Sequence, residues 1–103
     1  MKLQAMIDSI SLDVRDLAIK LMKSEDFFSL KEFEGGYEAF IKVEGGILLP
    51  GIVLEDGSVV EYECQCQSDY KICIHVAAML LGIKKMLQAG CCDYHEAFEK
   101  SGP

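Results

Sequence analysis

The apolar residues at the start of the chain recur at helical spacing. Leu3, Ile7, Ile10, Val14, Leu17 and Leu21 follow at alternating steps of four and three, and Met6, Ala18 and Met22 widen the stripe. That periodicity predicts an amphipathic helical segment within residues 1–26. The helix either runs unbroken from about Lys2 to Lys23 or breaks near Asp8 to Ser11, where Asp and Ser serve better as caps than as interior residues. The stripe is expected to pack on a sheet. A dimerising coiled coil is the alternative, with only about three heptads to support it.

From Phe27 onward the period changes to two. Phe28 to Glu34, Tyr37 to Val43, Ile47 to Leu54 and Ser58 to Cys66 read as strands, with Gly35-Gly36, Gly45-Gly46 and Asp56-Gly57 as turns. An antiparallel β-meander of three to four strands follows. Pro50 has no amide hydrogen for a ladder, so the third strand is expected to be bulged, interrupted or at an edge there. In the fourth strand the alternation sets Val60, Tyr62, Cys64 and Cys66 on the core face and Glu61, Glu63 and Gln65 on the other.

A second helix spans about Cys73 to Ala89 and ends at Gly90, a natural C-cap. Val76, Ala77, Leu80, Ile83, Met86 and Leu87 can face the sheet at helical spacing. Ile74, Met79 and Leu81 then need cover, either from the N-terminal helix or from a partner. Gly82 in the helix interior suggests a close approach by another element. The whole reads as one α+β domain over residues 1–103, with residues 91–103 as a polar tail.

The chemistry is concentrated where strand gives way to helix. Cys64, Cys66, Cys73 and His75 stand in the pattern C-x-C-x6-C-x-H. Three thiolates and an imidazole make a tetrahedral set that suits zinc, and four protein ligands leave no open position for a substrate. Cys64 and Cys66, two apart on a strand, leave the same face. Cys73 and His75 fall at the helix start, where free N–H groups and the positive end of the dipole favour a thiolate. Gln67 to Lys71 are polar enough to reverse the chain between the pairs. A disulfide framework fits poorly, since five cysteines leave one over and residues 1–26 carry charges throughout, with no apolar run of a secretory leader. A reducing, cytoplasmic compartment is the expectation. Cys91, Cys92 and His95 lack a fourth ligand nearby. They read as packing or exposed residues.

These residues resemble the SWIM zinc finger. The similarity covers residues 37–88: strands before the cysteines, Tyr62 just ahead of the first, and the run Val76-Ala77-Ala78-Met79-Leu80-Leu81 after the histidine. The resemblance implies a ββα core and zinc on Cys64, Cys66, Cys73 and His75. It also implies kinship with proteins linked to helicases and DNA processing. The family often carries Ser, Pro and Lys where this chain has Gln65, Gln67 and Ile74; the missing lysine removes a phosphate contact beside the metal.

Charge narrows the function. The chain carries −7, distributed as +1 over residues 1–23, −9 over 24–69, +3 over 70–90 and −2 over 91–103. An acidic sheet repels DNA, and Lys71, Lys84 and Lys85, with Lys100, form only a small basic feature. A single arginine, Arg15, offers little base readout. The strand glutamates either solvate the outer face and discourage edge pairing or dock a basic partner. No segment reaches the ~18 apolar residues of a membrane span. No catalytic motif is present, so the expected role is a zinc-bearing protein-interaction module that engages a partner, or itself, through an apolar helix surface. A nucleic-acid-binding finger is the alternative.

Overall fold

The computed structural model describes residues 1–66 and 72–90. The helical stripe breaks in two, as α1 (Leu3–Asp8) and α2 (Leu12–Met22). Ser11 causes the break: it takes an extended conformation and its hydroxyl accepts the Val14 amide hydrogen at 3.4 Å as the N-cap of α2. Arg15 then ties the two helices together, its guanidinium donating to the Ile7 carbonyl at 2.8 Å. The break also shifts the helical phase. Met6, Ile7, Ile10, Val14 and Ala18 are buried, whereas Leu17, expected in the stripe, is 47% exposed.

Five strands follow: β1 (Phe27–Phe33), β2 (Gly36–Val43), β3 (Gly46–Leu48), β4 (Gly51–Glu55) and β5 (Ser58–Glu63). They form one antiparallel sheet in the order β1-β2-β4-β5, with β3 also on β2. β3 and β4 are the expected third strand, interrupted at Leu49 and Pro50 because proline cannot donate. Its carbonyl keeps the ladder going, accepting the Ala39 amide at 3.1 Å. The β4–β5 turn has Asp56 at φ 52° and Gly57 at φ 78°, the pair of positive angles that a tight hairpin with right-handed twist demands. Gly36 is needed for another reason. A Cβ there would fall on the carbonyl oxygen of Ile52 in the neighbouring strand.

The inner face of the sheet carries Leu30, Ala39, Ile41 and Ile52, all at most 1% exposed. α3 (Ile74–Ala89) lies over β2 and packs most extensively against α2, with α1 beside it. α2 therefore packs on α3, while α1 lies between α3 and the β5 edge of the sheet, where the Leu3 amide donates to the Gly57 carbonyl at 3.3 Å. This resolves the surplus of apolar residues on α3: Val76 to Leu80, Gly82, Ile83 and Met86 are all buried, while Ile74 and Leu81 are half-buried against the core. Leu87, expected on the sheet side, is 57% exposed at the far end of the helix. Gly90 closes α3 in the left-handed conformation, φ 71°. Among the described residues no helix is long and apolar enough to cross a membrane.

Candidate metal centre

β5 ends at Glu63, short of the strand expected to reach Cys66, and the residues just beyond it meet the start of α3. The ligand atoms of Cys64, Cys66, Cys73 and His75 all lie within 4.8 Å of one another. The spacing works as the strand pattern requires. Tyr62 pairs with the buried Ile52, so Tyr62, and two residues on Cys64, point inward. The expected alternation holds from Tyr62 onward but fails upstream. A β-bulge sets Val59 opposite Leu54 and Glu61 opposite Val53, leaving Val60 as the extra residue. Val59 is accordingly buried and Val60 is exposed. A bulge depends on the partner strand, which is why a period of two cannot reveal it.

Cys73 is both the N-cap of α3 and a member of the cluster. Its sulfur accepts the Val76 amide hydrogen at 3.4 Å, and it is 6% exposed. Burial pushes the Cys73 thiol up, but hydrogen bonds from His75, the Val76 N–H and the other two cysteines outweigh it and pull the group down to about 6. Its neighbours move the other way. Burial and the adjoining sulfurs push Cys64 up to about 12, and Cys66 is raised for the same reason. The cluster thus holds one thiolate at neutral pH and two thiols that must lose a proton before they can ligate. None of the three sulfurs is in a disulfide.

The donor set fits a metal ion. Three sulfurs and an imidazole within mutual reach match a tetrahedral zinc site. His75 Nδ1 is buried without a hydrogen-bond partner, a situation that costs about 1–3 kcal/mol, and an ion bound by that nitrogen would remove the cost. Four protein donors also fill a tetrahedron, so such an ion would join strand to helix rather than polarise a substrate.

One residue beside the cysteines has a role that the motif does not announce. Gln65, between the first two cysteines, faces outward and clasps the interruption in the third strand: its Oε1 accepts the Leu49 amide at 2.9 Å and its Nε2 donates to the Leu49 carbonyl at 3.2 Å. The side chain stands in for a strand, satisfying backbone that Pro50 leaves unpaired. A glutamine between two cysteines carries no signal of this on its own; only the fold brings Leu49 across from it. Gln67 to Lys71 and the second cluster of Cys91, Cys92 and His95 lie outside the described residues, as does Lys100. Compared with known proteins, the chain matches no family model, no curated protein and no solved structure.

Proposed function

We propose that this chain is a zinc-stapled, SWIM-like module that acts in protein–protein interaction, in the setting of a DNA-processing or helicase-linked complex. The observation that carries it is the convergence of Cys64, Cys66, Cys73 and His75 at the β5–α3 junction. The apolar run from Val76 to Leu81 and the strands before Cys64 support the SWIM reading. The closed donor set supports a structural rather than a catalytic role for the metal. The test is elemental analysis of freshly purified, reduced protein together with native mass spectrometry. One zinc per chain is the expected result; protein with native circular dichroism and no metal overturns the reading.

A nucleic-acid-binding finger is supported by one feature. Lys2 and Lys84 line the same groove of about 450 Å³, next to Leu87. Against it, Arg15 is half-buried and engaged with Ile7, and residues 24–66 hold ten carboxylates against two lysines. The nucleic-acid reading requires affinity that falls steeply with salt and is lost in Lys84→Glu. Salt-insensitive or absent binding to duplex and single-stranded DNA removes it.

A further inference from the structure

α2 covers the apolar residues of α3, and several large apolar side chains of the sheet region are exposed on the face of the sheet turned away from the core. Phe40 (37% exposed), Ile47 (57%), Leu49 (47%) and Val53 (38%) each alternate with a buried or half-buried inward neighbour, so all four point away from the core. Phe28 joins them, its ring centroid 6.1 Å from that of Phe40. Natural sheets normally place polar residues here, so an apolar outer face marks a surface used for contact.

The surroundings of these residues say what the contact is. Glu38, Glu61 and Glu63 stand on the same face, and Glu55 at the end of β4 and the turn residues Glu34 and Glu44 add to them, all exposed. Among the described residues of the strands, only Lys31 and Lys42 oppose them, and Lys31 sits across from Glu38 in the ladder. We propose that the outer face of the sheet docks a basic polypeptide segment with apolar side chains, Lys or Arg meeting the glutamate frame and the apolar groups covering Phe40, Ile47, Leu49 and Val53. The proposal rests on reading the chain as an interaction module and names its surface and partner chemistry. A second copy does not meet the charge requirement, since each chain carries −7 and would present the same acidic frame. Residues 91–103, at −2, do not meet it either. The Gln65 clasp joins this face to the metal centre, because the backbone of Leu49 is held by the residue between two of the cysteines.

The test uses the full, zinc-loaded chain, isotope-labelled for NMR, and two fluorescein-labelled probes: an amphipathic peptide alternating lysine and leucine, and its counterpart with glutamate for lysine. The lysine peptide is expected to shift the amides of Phe40, Ile47, Leu49 and Val53. Its affinity should drop roughly tenfold on raising salt from roughly 50 to roughly 200 mM, and roughly tenfold in Phe40→Ser or Ile47→Ser with circular dichroism and zinc content unchanged. Leu12→Ser, on the exposed side of α2, should leave it unaltered. No binding of the lysine peptide, or equal binding of the glutamate peptide, overturns the proposal. Shifts confined to α3 around Leu87 overturn the sheet face while leaving the interaction module standing, and dimers abolished by Ile47→Ser would hand the face to a second copy. The module reading itself fails on a different measurement, the zinc content.

Discussion

The junctions that lead into α2 and into α3 are held in opposite ways. Between α1 and α2 the backbone is satisfied by the Ser11 hydroxyl on the Val14 amide, the Ser9 hydroxyl on the Met6 carbonyl at 2.7 Å, and the Arg15 guanidinium on Ile7. Between β5 and α3 the Val76 amide is capped by a sulfur, and the same sulfur belongs to a four-ligand cluster. The first junction is a set of separate hydrogen bonds, each contributing about 1 kcal/mol. The second concentrates its stabilisation in one centre whose members must be deprotonated together. α1–α2 should therefore respond to single substitutions in small steps, and β5–α3 in one large step governed by metal and pH.

Removing a ligand separates the two most strongly. Cys64→Ser, or a strong chelator, is expected to unfold β5 and α3 cooperatively, because metal-binding free energy at such a site is folding free energy, on the order of 10 kcal/mol at neutral pH. Amide exchange of residues 74–90 reads this directly; protection surviving in metal-free protein would show that the apolar contacts of α3 suffice.

Acid acts on the same centre. Zinc binding must displace protons from Cys64 and Cys66, which sit above the ordinary thiol value, but not from Cys73, already ionised above about 6. Affinity should therefore rise about a hundredfold per pH unit between neutral and mildly alkaline pH, and fall more steeply below about 6, where Cys73 also takes up a proton. Competition titration against a chromophoric chelator measures the slope; a slope of three throughout would mean that Cys73 carries its proton at neutral pH.

A core truncation tests what apolar packing contributes to α3 beside the metal. Leu80 is fully buried, so Leu80→Ala should cost about 2–5 kcal/mol in denaturant melts of the zinc-loaded chain. An equal cost in the presence and absence of chelator would make the two halves of the helix independent. The smallest effect belongs to the other junction. Ser11→Ala should cost about 1 kcal/mol with zinc affinity unchanged; altered affinity would mean the two junctions are coupled through α3.

Much of this architecture was legible in the residues. The glycine pairs mark the turns, Pro50 interrupts its strand, and Gly90 ends α3, because each is a local backbone requirement that one or two residues announce. Ser11 was legible only as one of two outcomes, since capping competes with helix continuation and the winner depends on what the following turn packs against. Leu17 and Leu87 were misplaced because a helical period assumes an unbroken phase and a single buried side. Val60 was misplaced because the bulge arises between two strands. Gln65 was invisible as a clasp, its partner Leu49 lying sixteen residues away.

By itself the sequence determined the order of elements and the four residues able to meet around an ion, because spacing, turn chemistry and ligand type are properties of short stretches of chain. Tertiary structure alone decided that α2 packs over α3, which valine of β5 is buried, and that phenylalanine, isoleucine and leucine remain on the outer face of the sheet. These are competitions for the same interior volume, settled only when all the elements are packed together.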